Sequence, residues 1–356
     1  MHATTPIDNE LLRVIGAAVG TPVRFNVAPE RLTGGFWAAI YGFELQPDDV
    51  LDRSWRDPLV LRVMPEAAIA AKEIIVQTVL GDVGYNTPRV VLSGHDDGLG
   101  GAFMVMARAS GRPSMSGLAV GPSPVKLIRS LRSIPVLLGR AAAGLHAIDP
   151  SPIEAALAAA GIHLAPLGDT SYRRDIAAAA ETPATGFVEL ERWLADNTPT
   201  VPARVVGHGD LHPLNLLVDD VGNVTVLDWT NANICPPELD IAFTTVLVRC
   251  APIAVPKLAR PILHMVTSHL AKRFLSVYRS TPGSQPIDSS RQRWYEALQY
   301  GRCLGHVAVG RVDPTAVVGP SHPFETSAPA MIRELAALTD ITIALPERQR
   351  ERNRSS

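Results

Sequence analysis

His208-Gly209-Asp210-Leu211-His212-Pro213-Leu214-Asn215, with Leu227-Asp228-Trp229 further on, carries the strongest chemical signal in this chain of 356 residues. Leu216-Leu217-Val218 and Val224-Thr225-Val226-Leu227 have the branched, apolar make-up of short strands. Between them, Asp219-Asp220-Val221-Gly222-Asn223 is a hairpin loop by composition. The spacing sets an amide five residues after a carboxylate and a second carboxylate eighteen after it. Asp210 and Asn215 precede or open the first strand and Asp228 ends the second, so all three can converge at one end of the hairpin.

Upstream of the hairpin the first hundred residues predict an α+β unit. Arg24–Val27 reads as short and extended, and Leu32-Thr33-Gly34-Gly35-Phe36 as a glycine turn. Leu59–Val63 is a strand by its branched residues and bounding prolines, Pro58 and Pro65. Ala67 to Leu80 lacks Gly and Pro and carries Ile69, Glu73, Val76 and Leu80 at helical spacing. Val90–Leu92 and Phe103–Met106 are further strands, separated by the turn-rich Gly94–Gly101, and Ala107–Gly111 reads as a hinge. Most of the remainder is helical. Leu127, Leu131, Leu138, Ala141 and Leu145 form one apolar stripe in which Pro135 marks a kink or a break. Ile262, Val266, Leu270 and Phe274 form another, its start set by Pro261. The expected division is a small lobe over 1–106, a larger lobe over 107–346 and a frayed tail over 347–356.

Composition narrows the function classes. With 33 basic and 35 acidic side chains the net charge is −2, which removes the positive field needed by a partner of nucleic acid. Three cysteines without metal-ligand spacing point away from a disulfide framework and toward a reducing compartment. The apolar run Val125–Ile148 is broken by Lys126, Arg129, Arg132 and Arg140, so no membrane span is expected. The first residues lack a basic start followed by an apolar core, and a cytoplasmic location is expected. The oligomeric state is left open.

Phosphoryl transfer asks for the set of side chains on the hairpin. Its catalysis is mostly positioning and charge neutralisation, so one carboxylate orients the attacking hydroxyl and other oxygens hold the magnesium that bridges the phosphates. Magnesium keeps several waters, and one carboxylate with one amide is sufficient protein ligation. The motif resembles the catalytic segment of the aminoglycoside phosphotransferase family, small-molecule kinases with a protein-kinase-like fold that also include choline, homoserine and macrolide kinases. The resemblance extends over roughly residues 20 to 270. It implies an α+β, two-lobed protein-kinase-like fold with a small β-rich N-lobe and a larger, mainly helical C-lobe. It implies ATP, with GTP as the alternative, and Mg2+ as cofactors. Asp210 is then the catalytic base, Asn215 and Asp228 are magnesium ligands, and His208 is a buried prop for the loop. His212 stands where protein kinases carry a lysine and could touch the γ-phosphate; a structural role is the alternative. Asp240 matches a family aspartate that braces the catalytic loop.

The small lobe adds nucleotide-binding candidates. Gly34 and Gly35 resemble the family's nucleotide loop, where glycines let backbone N–H groups approach phosphate. Arg62 occupies the strand position where many kinases use lysine, and Glu73 on the next helix is its expected partner. Residues 102–111 resemble the family's hinge. There Ala107 and Arg108 replace the usual acidic and aromatic residues, so adenine contacts are expected from the backbone of Ala107 to Ala109. The acceptor is expected to be the hydroxyl of a small molecule, an antibiotic or a metabolite. The apolar stretch after Asp240 argues against a polycationic one. A nucleotide-binding pseudokinase is the competing expectation.

Overall fold

The computed structural model describes residues 6–32, 38–47, 51–115, 124–162, 169–200, 203–253, 255–316 and 322–348. Its contacts divide the chain into two compact units. The first takes Met1–Ser114, Ser151–His163 and Leu214–Asn231; the second takes Met115–Pro150, Leu164–Pro213 and Ala232–Ser356.

The first unit is built on five antiparallel strands: β1 (Phe25–Arg31), β2 (Ala39–Leu45), β3 (Leu59–Met64), β4 (Val90–Asp96) and β5 (Gly101–Ala107), in the order β1-β2-β3-β5-β4. Alternation along the central strand sends side chains to opposite faces. Leu59, Leu61 and Val63 enter a core with Leu11 and Ile15 of helix α1 (Pro6–Val19), Phe43 and Phe103. On the opposite face Met64 packs with Met104, Met106 and Ala70 of helix α2 (Ala67–Asp82). Arg62, two residues before Met64, shares that parity. Helix α2 buries Ala70, Glu73, Val76, Gln77 and Leu80, a spacing that sets one helical face inward.

Two local differences from the sequence expectations have clear causes. Strand β1 continues through Pro29 to Arg31, which an edge position permits because no neighbour needs the missing donor. Strand β4 continues past Gly94 to Asp96, leaving a shorter turn, because Gly94 pairs with Phe103. A Cβ there would sit 3.2 Å from the Phe103 ring, so the missing side chain makes room for the aromatic.

A three-stranded sheet completes this unit: β6 (Arg112–Pro113), β8 (Leu216–Val218) and β9 (Val224–Val226), in the order β6-β8-β9. The hairpin expected from the sequence is therefore present, with Leu216 opposite Val226. Its far strand is tied to the loop before β4, since Val226 N–H donates to the Asn86 carbonyl (3.0 Å) and Asn86 Nδ2 to the Val224 carbonyl (2.8 Å). Helix α4 (Ser151–Ala159) packs against α2.

The second unit is mainly helical. It contains α3 (Pro124–His146), α5 (Asp169–Ala180), α6 (Phe187–Asp196), α7 (Pro237–Arg249), α8 (Arg260–Ser280), α9 (Ser289–Val312) and α10 (Ala328–Thr339). Strands β7 (Val205–Gly207) and β10 (Asn233–Cys235) pair antiparallel within it. Helix α3 runs through Pro135 without a break; its packing along α8 offsets the lost backbone bond. Pro261 stands in the first turn of α8, where its missing N–H costs nothing. Helix α9 is the buried axis, packed by α5, α7 and α10 around Trp294, Leu298, Leu304 and Val307. Helix α7 is buried on nearly every side. The α7 part of the apolar run after Asp240 is thus core, whereas Ile253, Leu258 and Ile262 further along it are exposed. The tail from 349 onward lies outside the described residues.

Candidate active site

Within the first unit, four polar side chains meet where α2, β3 and the end of the hairpin come together. Arg62 Nη1 lies 2.9 Å from Glu73 Oε1, an ion pair 10% and 1% exposed. Arg62 Nη2 lies 3.4 Å from Asp228 Oδ1 and donates to Thr230 Oγ1 at 3.1 Å. The Thr230 hydroxyl is 2.6 Å from Asp228 Oδ1 and 3.0 Å from Glu73 Oε2. Burial pushes the Glu73 carboxyl above its ordinary range; the Arg62 charge opposes that shift and Asp228 adds to it. Arg62 Nε is buried with no hydrogen-bond partner. An orphaned buried donor on a cationic side chain suits an anionic ligand such as a phosphate group.

Asp228 stands on a left-handed backbone, φ 64°, one of two such non-glycine residues among those described. Aspartate tolerates this region when its short side chain bonds locally, as Oδ1 does with the Thr230 N–H at 3.3 Å. Next to it Trp229 is fully buried and donates from Nε1 to Thr87 Oγ1 at 2.8 Å, anchoring the hairpin's end. Asn215 closes a short 3-10 turn, Pro213–Asn215, and its carbonyl accepts from the Leu227 N–H at 2.9 Å. That bond holds Asn215 beside the residue that precedes Asp228. The pair offers oxygen donors alone, one carboxylate and one amide, and the Asp228 side chain is 41% exposed. Such a set fits magnesium, which prefers oxygen ligands and retains waters. Among the described residues no group of three or more His, Cys, Asp and Glu side chains forms a metal cluster.

Two backbone donors of the segment expected to be the hinge are bonded to neighbouring strands and loops. Ala107 N–H donates to the Arg89 carbonyl (2.9 Å) and Arg108 N–H to the Pro58 carbonyl (2.8 Å). The donor of Ala107 is thereby committed inside the sheet. Gly34 and Gly35 lie outside the described residues.

Within the second unit, Asp210 follows a glycine, Gly209, whose φ of 74° a side chain would strain. Its own N–H donates to His208 Nδ1 at 3.3 Å, and His208 is fully buried. His212 Nε2 lies 3.6 Å from Asp210 Oδ1, both side chains partly exposed. The loop is held from below by Asp240, whose Oδ1 accepts from the Gly209 N–H at 2.7 Å. Asp240 Oδ2 lies 3.1 Å from His146 Nε2, and His146 Nδ1 lies 2.8 Å from the Tyr278 hydroxyl. Burial would raise the Asp240 carboxyl, but the bonds to His146 and Gly209 outweigh it and leave the group below its ordinary value. Thr244 Oγ1 donates to the Leu211 carbonyl at 2.8 Å, a second strut from the same helix.

Beside this loop α5 and α9 carry a cluster of mixed charge. Asp175 Oδ2 lies 3.5 Å from Arg302 Nε and 3.0 Å from His306 Nε2. The Arg302 guanidinium stacks 4.4 Å above the Tyr172 ring. Burial pushes the Tyr172 phenol up, with Arg302 opposing and the charges of Asp240 and Asp210 adding.

Sequence reading missed His146, Tyr278, Thr230, Asp175 and Arg302. A histidine at the end of the α3 apolar stripe and a threonine two after Asp228 were visible signals; the others had none.

Comparison with known proteins bears on the family and the fold. A family model described as Phosphotransferase enzyme family matches residues 47–262. No curated protein matches the chain. Among solved structures, a putative aminoglycoside phosphotransferase from Ralstonia eutropha is similar, with a TM-score of 0.65 at 18% identity over 94% of this chain and 99% of that one. Macrolide 2'-phosphotransferase type I is similar with a TM-score of 0.54 at 18% identity, over 96% and 98%. An ethanolamine kinase from Plasmodium vivax has a TM-score of 0.52 at 11% identity, over 92% and 84%. At these identities the likeness is one of fold.

Proposed function

We propose, because the chain belongs to the phosphotransferase enzyme family, that it moves the γ-phosphoryl group of ATP to a hydroxyl of a small molecule. The observation that carries this reading is the meeting of Arg62, Glu73 and Asp228 in one unit, with the Asn215 carbonyl bonded to Leu227, the residue before Asp228. Arg62, aligned by Glu73, binds the α- and β-phosphates. The Ala109 backbone and the Ala107 carbonyl meet the base, and Gly34 and Gly35 cover the phosphates. Asn215 and Asp228 hold Mg2+, which when bound neutralises charge building on the terminal phosphates. Asp210 orients the acceptor hydroxyl and takes its proton, and His212 beside it adds a contact to the γ-phosphate. A similar structure, of aminoglycoside phosphotransferase APH(4)-Ia, is a ternary complex with ADP and hygromycin B, which supports nucleotide use here.

The charged groups near Asp210 on α5 and α9 are mixed in sign, Asp175 with Arg302 and His306, rather than a wall of carboxylates. That favours an acceptor less cationic than an aminoglycoside. Three free, buried cysteines suit a reducing, cytoplasmic setting; among the described residues no helix is long and apolar enough to cross a membrane. The lobes of the reading are 1–106 for nucleotide and 107–346 for catalysis and acceptor.

The test is a phosphate-transfer screen with Mg-ATP over antibiotics, sugars, amino alcohols and lipid-like alcohols. Asp210→Asn should bind Mg-ATP and lose turnover by roughly 10²–10⁴-fold. Asp228→Ala should lose the metal-dependent part of nucleotide binding. Turnover retained in Asp210→Asn, or tight ATP binding with no transfer to any alcohol, refutes the reading.

A further inference from the structure

Thr230 has no part in the roles assigned above, yet its hydroxyl lies within hydrogen-bond distance of Arg62, Glu73 and Asp228. Its oxygen accepts from Arg62 Nη2 at 3.1 Å. It faces Asp228 Oδ1 at 2.6 Å and Glu73 Oε2 at 3.0 Å. Its backbone N–H reaches the same Asp228 oxygen at 3.3 Å. A hydroxyl has one proton and two acceptor lone pairs, so it can serve a guanidinium and one carboxylate at a time. The residue it grips is the one whose left-handed backbone needs a local anchor.

We infer that Thr230 is a positioning residue whose hydroxyl joins the Asp228 carboxylate to the Arg62–Glu73 pair, so that divalent cation binding at Asp228 and nucleotide phosphate binding at Arg62 strengthen each other through it. This rests on the phosphotransferase reading. Two charged groups that share one small hydroxyl cannot move independently. A cation that fixes Asp228 fixes Thr230, and Thr230 then holds Arg62 in the orientation its phosphate contact requires. Coupling of this kind is reciprocal: the nucleotide must raise the affinity for the cation by the same factor.

The test compares wild type, Thr230→Val and Thr230→Ser. Valine keeps the branched shape and the backbone N–H but deletes the hydroxyl; serine keeps the hydroxyl. Calorimetry with AMP-PNP, with and without Mg2+, measures the metal's enhancement of nucleotide affinity, and Mn2+ titration with and without AMP-PNP measures the converse. Loss of one charge-assisted bond should cut both enhancements roughly tenfold in the valine variant. Metal-free AMP-PNP binding should change less, and serine should restore the coupling. Thermal unfolding of the ligand-free proteins checks that all three are folded. Equal enhancements in wild type and the folded valine variant overturn the role of Thr230 alone. Failure of wild type to bind AMP-PNP with either metal overturns the phosphotransferase reading as well. If valine does not fold, a serine variant with wild-type coupling supports the proposal and one without it refutes it.

Discussion

Asp240→Asn exchanges one atom in the second unit and probes the strut beneath the His208–His212 loop. Asp240 is 2% exposed and so is His146, so neither group can turn to water when the charge is removed. The aspartate makes two bonds, to His146 Nε2 at 3.1 Å and to the Gly209 N–H at 2.7 Å. A hydrogen bond to a charged group contributes about 1.5–3 kcal/mol and a neutral one about 1, so the exchange should cost about 1–4 kcal/mol. For a unit of this size each kcal/mol lowers the midpoint of unfolding by about 2–4 °C. The effect also has a pH signature. The folded-state value of Asp240 lies below its ordinary 3.8, so the stability it contributes is present above 3.8 and is lost as the pH falls through the folded value. Urea unfolding of both proteins from about pH 7 down to about pH 3 should show a gap that is constant above the unfolded value and closes beneath it. Turnover should fall in parallel, since the Gly209–Asp210 turn loses its charged anchor. A gap that is absent near neutral pH, or that widens in acid, refutes the reasoning.

Two further outcomes follow from other groups. Glu73→Gln should raise the nucleotide KM about tenfold by releasing Arg62. It should also lower stability near neutral pH, because it leaves the buried Arg62 guanidinium without its carboxylate partner; unchanged kinetics in a steady-state assay would dismiss the pairing. His322, whose Nδ1 accepts from the Phe324 N–H, is lowered from 6.5 to about 4 by burial and by the neighbouring His306. Stability should therefore be intact above 6.5 and decline as the pH falls toward about 4. His322→Asn, which keeps an acceptor for that N–H, should flatten this decline in acid unfolding curves.

Local order was legible along the chain wherever one element decides it. The Leu59–Val63 strand, the α2 face and the Leu216–Val226 hairpin follow from branched runs, helical spacing and a turn-forming loop, all properties of neighbours in sequence. The Asp210, Asn215 and Asp228 motif was legible in the same way, as residue types at a fixed spacing on that hairpin. Gly94 misled, because the ring of Phe103 overrode local preference. The apolar run of α7 misled in another way: composition cannot tell a core from a pocket wall, and only burial on nearly every side made it core.

What tertiary structure alone decided is which partners the polar groups have. His146 lies 94 residues from Asp240, Thr230 lies 157 from Glu73, and Arg62 lies 166 from Asp228. No pattern along the backbone encodes such distances. The contacts exist because a buried charge is costly unless paired, and the fold brings to each the partner that offsets its burial. The commitment of the Ala107 donor to Arg89 has the same origin. The residue types supplied the candidate groups, and the packed chain chose their partners.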